Sequence, residues 1–318
     1  MATRHSSVLV LGSAGFVGAR LCQQLAADSC KVHALGRSET HGLRNGINHV
    51  RGSIEDRQLL RAVLAECEKV VYCAAMTTPG TSATDPALEV VGNLLPLARL
   101  LELAPEFDKR HIVYLSSGGA IYGDGSECAS ESDALRPRSY YGAGKAAAEA
   151  MLSACVASSS WSATILRPSN LYGPGQPASK GFAIVPTLFE RASDGQPFQI
   201  WGDGSIIRDY LYLDDLVDAI TRSMGSAQTS RLTVYNVASR QTASILELIS
   251  ACEHASGRTI QREYKPARSV DVARIAPEPG LVESELGWTA RTDLAAGLRN
   301  TWAWFTQTHE SCHSSLDP

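Results

Sequence analysis

The chain has 318 residues, of which 44% are hydrophobic and 19% are charged, and its formal net charge is -4. This balance gives no reason to expect a nucleic-acid partner, and no apolar run approaches the roughly 20 residues that a transmembrane helix needs. The eight cysteines lack paired spacing, which favours reduced thiols in a cytoplasmic protein over a disulfide framework. The N-terminal segment is too short for a signal peptide. The histidines are dispersed, so we predict no metal site.

Short apolar runs alternate with longer helical patterns along the first half of the chain. Strands are predicted at residues 7–11, 31–35, 70–74, 112–116 and 164–167, and helices near residues 16–27, 56–67, 85–104 and 140–157. This alternation predicts an α/β fold in which helices cover both faces of a doubly wound parallel sheet of about seven strands.

The character of the sequence changes after residue 168, where turns rich in Pro and Gly interrupt shorter elements. We therefore predict a dinucleotide-binding domain over residues 1–168, with return segments near residues 210–245. A smaller C-terminal α/β lobe for the substrate is predicted mainly over residues 169–305, followed by a frayed polar tail over residues 306–318.

A glycine-rich loop follows the first predicted strand, with Gly12, Gly15 and Gly18 leading into an amphipathic helix through Phe16 and Val17. Glycine lets the backbone approach a pyrophosphate, and the helix N-terminus stabilises the phosphate charge. The spacing is GxxGxxG and not the usual GxGxxG. Its place between a strand and a helix nevertheless predicts a Rossmann-type dinucleotide site at these five residues.

The end of the second strand bears on the choice between NAD and NADP. An acidic residue there accepts a hydrogen bond from the ribose 2′-hydroxyl of NAD, whereas an arginine accommodates the 2′-phosphate of NADP. The sequence places Arg37 and Ser38 at this point, and the first acid after the start of the second strand is Glu39. Arg37 can pair with a dianionic phosphate and Ser38 can hydrogen-bond it. We therefore expect NADP(H), with NAD(H) as the alternative.

Tyr141 and Lys145 are four residues apart and so share one face of a predicted helix. A phenol with a pKa near 10 is a poor acid or base at neutral pH. A cation about 4 Å away, at an effective dielectric constant of about 20, contributes about 4 kcal/mol, or about three pKa units. Lys145 could therefore make Tyr141 a general acid or base, and could also hold the nicotinamide ribose of the cofactor.

Further motifs occur in a consistent order along the chain. They include Gly52-Ser-Ile-Glu-Asp56, Ser116-Ser117 before Tyr122-Gly123, Arg167-Pro-Ser-Asn170, Arg208-Asp-Tyr210 and Leu286-Gly-Trp288. With these motifs the chain resembles the extended short-chain dehydrogenase/reductase superfamily, of the nucleotide-sugar epimerase/dehydratase/reductase type. The resemblance covers about residues 6–305, and it implies a nucleoside-diphosphate sugar as substrate.

The resemblance also implies roles for individual residues. Besides the glycine loop and the Tyr–Lys pair, it assigns to the cofactor site Ser53, Ile54, Ala74, Ala75 and Asn93. It assigns to the substrate diphosphate Asn170, Arg208 and Arg268, and guanidinium groups do pair bidentately with phosphate oxygens.

A homodimer is implied by the resemblance as well. It would account for two helices that are apolar almost all round, one containing Leu88, Val91 and Leu94 and the other over residues 143–157. Burial against the sheet is the other explanation for these helices.

One position departs from the family pattern, which has Ser or Thr four residues before the tyrosine of its Tyr-Gly motif. Counting back from Tyr122 gives Gly118, which has no hydroxyl to bond the reacting sugar oxygen. Ser117 is the nearest substitute, although a step of one residue along a strand turns the side chain to the other face. We expect Ser117 to be the third catalytic residue, provided that the strand ends before it.

The family carries out several reactions. Gly119 and Ala120 stand where a 4,6-dehydratase would have its Asp-Glu pair, so dehydration is not favoured. A combined 3,5-epimerase/4-reductase would have a cysteine within residues 116–119 and a histidine soon after residue 174, and neither is present.

Three interpretations remain. Arg37 favours an NADPH-dependent 4-ketoreductase of a nucleoside-diphosphate 4-keto-(6-deoxy)sugar, with Tyr141 as the proton donor. The alternative is an NAD-dependent nucleotide-sugar 4-epimerase, because the catalytic residues themselves do not separate the two reactions. A second alternative, suggested by Gly118, is a non-catalytic dinucleotide-binding regulator.

Overall fold

The computed structural model describes residues 6–37, 46–123, 128–178, 183–225, 230–267 and 272–314. Within these ranges the strands are β1 (Ser7–Leu11), β2 (Lys31–Gly36), β3 (Ile47–Arg51), β4 (Lys69–Tyr72), β5 (His111–Leu115), β6 (Ser162–Pro168), β7 (Asn170–Tyr172), β8 (Phe198–Trp201), β9 (Ile207–Tyr212), β10 (Leu232–Val237), β11 (Thr242–Ser244), β12 (Arg262–Lys265) and β13 (Arg274–Ile275).

The α-helices are α1 (Phe16–Ala27), α2 (Arg57–Ala65), α3 (Pro86–Glu89), α4 (Leu95–Leu101), α5 (Tyr140–Ser158), α6 (Ile184–Asp194), α7 (Leu213–Gly225), α8 (Ile245–Ser256), α9 (Gly280–Leu286) and α10 (Leu294–Ser314). A π-helical turn at Val90–Leu94 joins α3 to α4, and a 3-10 turn at Ala104–Glu106 follows α4.

Seven of the strands form one parallel sheet in the order β10-β6-β5-β4-β1-β2-β3. The strand order reverses between β1 and β4, and at such a point a crevice opens at the carboxyl ends of the strands. The predicted Rossmann-type doubly wound sheet is therefore confirmed, and the crevice lies where the glycine loop leaves β1.

The alternation of side chains along β1 explains why helices cover both faces. Val8 and Val10 pack in a cluster with residues of α1 and α7, whereas Leu9 and Leu11 pack on the opposite face with residues of α2, α4 and α5. Each of the four is at most 1% exposed. A strand buried on both faces must be apolar throughout, and this continuous run is the pattern from which the sequence predicted it.

The C-terminal lobe is built around a third cluster in which α6, α8 and α10 pack together. The ring of Phe189 lies 5.2 Å from that of Trp302 between centroids, and Phe305 is 5% exposed. These contacts anchor α10, which ends at Ser314. The frayed tail over residues 306–318 stays a prediction, although α10 continues through its first part as far as Ser314.

Strand β3 and the π-turn both lie on the outside of the molecule. Strand β3 was not predicted, because it lies at the sheet edge, is only partly buried and has no continuous apolar run. Val90 and Val91 are each 53% exposed on the π-turn, and the homodimer that would cover them remains a prediction.

Neither a membrane-spanning helix nor a cluster of metal ligands occurs in the part of the chain that the structure describes. In that part no helix has the length and apolar character to cross a membrane. The same residues contain no group of three or more His, Cys, Asp or Glu side chains arranged to hold a metal ion.

His111 connects two central strands through its imidazole ring. Its Nδ1 lies 2.8 Å from Ser162 Oγ, and its Nε2 lies 3.2 Å from Thr164 Oγ1. Burial, with a smaller contribution from the charge of Lys69, lowers the pKa of His111 to about 4. The folded protein therefore favours the neutral ring.

The stability of the protein should fall as the pH falls from about 6.5 to about 4, because the unfolded chain binds a proton that folded His111 does not. We expect His111→Gln to reduce this dependence by up to about 3 kcal/mol over the interval, measured by urea unfolding at a series of pH values. The variant His254→Gln, on the exposed surface of α8, is the control. Equal pH dependence in wild type and His111→Gln would contradict the prediction.

Candidate active site

The glycine loop after β1 forms a narrow backbone cradle at the crevice. Gly12 has a φ of +84°, and a Cβ on it would lie 2.6 Å from the amide nitrogen of Ala74, at the end of β4. A Cβ on Gly18 would lie 2.2 Å from the carbonyl oxygen of Gly12. Only glycine allows these approaches, so the loop is held against the strand ends with its backbone accessible.

The N-terminus of α1 has the properties of an anion site. Gly15 is the N-cap residue, and no side chain caps the helix. The first-turn amide groups of the helix, from Phe16 and Val17 to Gly18, are available to an anion, and the helix dipole adds to the attraction. Ser13 is 1% exposed, and its hydroxyl has no hydrogen-bond partner among the described residues. These groups fit a dinucleotide pyrophosphate.

Three of the four residues predicted for the adenosine end lie at the carboxyl ends of β2 and β3. Arg37 is exposed directly after β2, whereas Ser38 lies outside the described residues. Ser53 and Ile54 follow β3, and Ser53 Oγ accepts a hydrogen bond of 3.2 Å from the backbone of Glu55. Arg37 is therefore free of the core and positioned near this end of the crevice.

The segment after β4 forms the next wall of the crevice. Ala74 touches the glycine loop, and Ala75 lines the main cleft. Asn93, on the π-turn, accepts a 2.8 Å hydrogen bond from the amide of Met76. Its own amide donates to Thr77 and Glu89, so Asn93 supports this segment and is bonded to neither Tyr141 nor Lys145.

Tyr141 and Lys145 lie on the first two turns of α5, which begins where Ser139 Oγ accepts a 3.1 Å hydrogen bond from the amide of Gly142. Both side chains line the main cleft. Lys145 is 6% exposed, its Nζ donates to the Leu115 carbonyl at 2.7 Å, and it lies 5.7 Å from the centre of the Tyr141 ring. The structure therefore brings the predicted pair together at the end of β5.

Burial controls the ionisation of this pair. Burial, and to a smaller extent the charge of Glu89, raise the pKa of Tyr141 to about 12 against an opposing effect of the Ser117 hydroxyl. Burial also lowers the pKa of Lys145 to about 8, against the charges of Glu89, Cys73 and Glu149. The expectation that Lys145 brings Tyr141 near pH 7 is not met by the protein alone, because desolvation of the phenol and the charge of Glu89 both raise its pKa.

Ser117 occupies the position predicted for the third hydroxyl. Strand β5 ends at Leu115, so the alternation of side chains no longer applies at Ser117. Its side chain lines the main cleft together with Tyr141 and acts to lower the pKa of the phenol. Gly118 could not replace it, because a Cβ there would lie 2.8 Å from both the Arg167 carbonyl oxygen and Pro277 Cγ. The loop thus has room for a hydroxyl at residue 117 and for no side chain at residue 118.

A buried ion pair that the sequence analysis missed supports this loop. Arg167 donates to both carboxylate oxygens of Glu149, at 3.1 and 2.7 Å, and Ser116 Oγ donates to the same carboxylate at 2.5 Å. Glu149 is 7% exposed and lies two turns after Tyr141 on the same helix face. The sequence did contain a signal for Glu149. Its spacing of four residues from Lys145, which is itself four residues from Tyr141, places Glu149 on the same helix face.

The main cleft has a volume of about 1200 Å³ and lies between the sheet and the C-terminal lobe. Asn170 and Arg208 line it beside the catalytic side chains. The Asn170 amide donates to the backbone of Asp209 at 3.1 Å, and Arg208 Nη1 donates to the Ile207 carbonyl at 2.8 Å. Arg268, the third predicted diphosphate residue, lies outside the described residues.

Comparison with known proteins identifies the family. The model for the NAD dependent epimerase/dehydratase family matches residues 8–238. The UDP-glucose 4-epimerase of Mycolicibacterium smegmatis is 32% identical over 308 residues, covering 93% of this chain and 97% of that protein. The chain belongs to the NAD-dependent epimerase/dehydratase family. The resemblance inferred from the sequence motifs is therefore confirmed.

Two further relatives show the range of this family. The dTDP-4-dehydro-6-deoxy-D-allose reductase of a Streptomyces species is 28% identical over 320 residues, covering 94% of this chain and 96% of that protein. The crystal structure of Thermus thermophilus UDP-glucose 4-epimerase in complex with NAD has a TM-score of 0.86 and 29% identity, covering 94% of this chain and 99% of that one. The protein is thus a nucleotide-sugar enzyme of this family, and the non-catalytic alternative is not supported.

The packing around Gly118 makes a prediction about stability. Gly118→Ala should lower the free energy of unfolding by about 1–3 kcal/mol, because the new methyl group meets backbone and a proline ring. Gly119→Ala is the matched control, since its Cβ would lie 3.4 Å from the nearest atom, Asn170 Oδ1. Urea unfolding of both variants tests this difference, and equal stabilities would show that the loop can shift to accept a side chain.

Proposed function

We propose that the protein is an NAD-dependent 4-epimerase of a nucleoside-diphosphate sugar. The observation that carries the proposal is the meeting of Ser117, Tyr141 and Lys145 in one cleft at the carboxyl ends of the parallel strands. The 32% identity with a UDP-glucose 4-epimerase over nearly the whole chain supports the epimerase over the ketoreductase that Arg37 had favoured.

The cleft residues suit abstraction and return of a proton at a sugar hydroxyl. Bound NAD supplies the hydride acceptor, and in its reduced form the hydride donor. Tyr141 takes the proton from the C4 hydroxyl of the sugar and later returns it, so that it acts as base and then as acid. Ser117 hydrogen-bonds the same sugar oxygen and Tyr141. The ammonium group of Lys145 stabilises the tyrosinate.

The proposed cofactor is NAD, held by the glycine loop and the segment after β4. The first turn of α1 would bind the pyrophosphate, and Ser53 and Ile54 would lie beside the adenine. The NADP preference inferred from Arg37 and Ser38 has no support from the comparisons, since the Thermus thermophilus relative binds NAD. An exposed arginine after β2 is compatible with either dinucleotide.

The substrate would lie across the cleft, with its sugar at Tyr141 and its diphosphate at Asn170 and Arg208. Arg208 supplies a guanidinium group, which binds phosphate oxygens bidentately. The same role for Arg268 stays a prediction from the sequence.

A ketoreductase is the second candidate function. The relationship to the Streptomyces reductase, at 28% identity over 94% of this chain, favours it together with Arg37. The two reactions differ in the fate of the cofactor, since an epimerase regenerates its NAD in each cycle and a reductase consumes NADPH.

The first experiment is therefore to purify the protein without added cofactor, denature it and identify the released dinucleotide by chromatography. We expect stoichiometric NAD, and interconversion of UDP-glucose and UDP-galactose without added reductant. Tyr141→Phe should lower the turnover by about 10²- to 10⁴-fold, whereas Tyr140→Phe, at a neighbouring exposed side chain, should not.

The ketoreductase predicts a different set of results in the same experiments. A protein that is empty or contains NADP(H), shows no epimerisation of UDP- or dTDP-hexoses, and oxidises NADPH with a 4-keto sugar nucleotide would be a reductase.

Ser117→Ala should lower kcat by about 10- to 100-fold, because it removes one hydrogen bond to a charged or reacting oxygen. Ser117→Thr keeps the hydroxyl and is the matched control. Both should retain the wild-type affinity for the nucleotide sugar, measured by isothermal titration. Wild-type turnover by Ser117→Ala would exclude Ser117 as the third catalytic residue.

A further inference from the structure

Glu89 is a buried acid in an otherwise apolar helical segment beside the catalytic pair. It is the last residue of α3, it precedes the π-turn and it is 3% exposed. A π-turn inserts an extra residue into a helix and often occurs at a functional site. No role has been assigned to this carboxylate in the proposed reaction.

Neutral donors hold the carboxylate of Glu89 in place. Asn93 Nδ2 donates to Oε1 at 2.8 Å, and the Thr77 hydroxyl donates to Oε2. Asn93 Nδ2 also lies 2.6 Å from Thr77 Oγ1, and its carbonyl oxygen accepts from the amide of Met76 at 2.8 Å. The network fixes the orientation of Glu89 without neutralising its charge.

The carboxylate is packed against the turn of α5 that carries the catalytic residues. A Cβ on Gly144 would lie 2.3 Å from Glu89 Oε1 and 2.5 Å from its Cγ. Gly144 lies between Tyr141 and Lys145 in the sequence and directly precedes the lysine. The absence of a side chain at residue 144 therefore lets the negative charge approach the catalytic helix.

Burying an ionised carboxylate costs more free energy than burying a neutral amide or an apolar side chain. Hydrogen bonding alone does not require the charge, because a glutamine would accept from Asn93 and donate to Thr77 in the same space. An electrostatic role on a neighbouring group does require it.

The charge of Glu89 raises the pKa of Tyr141, and it also favours the ammonium form of Lys145. The titratable groups that face Lys145 are Tyr114 from β5, Cys73 after β4, Tyr141 and Glu149 on its own helix, and Glu89. Glu149 is paired with Arg167 at 2.7 Å, so its charge is largely compensated. Glu89 is the largest influence that opposes the desolvation of Lys145.

We propose that Glu89 is a positioning residue whose buried carboxylate, held by Thr77 and Asn93 and packed on Gly144, keeps the side chain of Lys145 in its ammonium form. In the proposed function, which this inference deepens, the charged ammonium is the form that stabilises the tyrosinate of Tyr141. This effect through Lys145 is separate from the direct effect of the Glu89 charge on Tyr141, which raises the pKa of the phenol.

The direct test measures the pKa of Lys145 by NMR of protein labelled with ¹³C at lysine Cε. The chain has six lysines, so the spectrum is simple, and Lys145→Arg identifies the signal. In wild type we expect a pKa of about 8. In Glu89→Gln, which keeps the shape of the side chain, it should fall by about one unit or more.

Two variants make this result specific. Glu190→Gln removes one acid from the wall of the same cleft, and Glu190 is not among the charges that act on Lys145, so the pKa should stay at its wild-type value. Glu89→Asp keeps the charge and should restore most of the shift. An unchanged Lys145 pKa in folded Glu89→Gln would overturn the proposal, and so would equal shifts in Glu89→Gln and Glu190→Gln.

The pH profile of turnover is the second readout. The alkaline limit of kcat/KM should move to lower pH in Glu89→Gln, because Lys145 loses its proton earlier. A lower rate with an unshifted profile would indicate a purely structural role and would contradict the proposal. The NMR measurement needs neither cofactor nor substrate. It therefore decides the role of Glu89 even if no nucleotide sugar is turned over, which would count against the proposed function alone.

Discussion

The buried ion pair between Glu149 and Arg167 is the interaction on which the geometry of the active site depends. It joins α5 to β6, and through Ser116 it also joins both to the end of β5. Arg167 continues the network to the hydroxyl of Tyr122 at 2.8 Å. Removing one partner of such a pair leaves an uncompensated buried charge, which typically costs about 3–5 kcal/mol. The shared carboxylate of Glu149 therefore fixes the position of the catalytic helix relative to the loop that carries Ser117.

This arrangement places a phenol and an amine side by side on the wall of the main cleft. Desolvation opposes the charged form of each group, which is why the pKa of Tyr141 rises to about 12 and that of Lys145 falls to about 8. The protein alone therefore favours a neutral phenol. In the proposed reaction, formation of the tyrosinate would depend on retention of the proton by Lys145, and bound NAD would add positive charge to the cleft.

The cleft also shows why a departure from a family pattern need not mean loss of activity. Gly118 lies where the family has a hydroxyl, yet the contacts with the Arg167 carbonyl and Pro277 leave no room for a side chain there. The end of β5 at Leu115 releases Ser117 from the strand geometry and lets its hydroxyl reach Tyr141. Packing therefore excludes a hydroxyl at residue 118 and leaves residue 117 as the position that can present one.

Local patterns in the sequence were sufficient to predict the sheet, the glycine loop and the Tyr141–Lys145 pair, because each depends on residues that are close in sequence. Such patterns did not predict strand β3, because a strand at the edge of a sheet needs no continuous apolar run. The tertiary structure alone decided that Ser117 and not Gly118 is positioned at Tyr141, and that Glu149 and Glu89 are buried beside the pair. These features arise from contacts between residues far apart in the chain, such as Gly118 with Pro277, and no local periodicity records them.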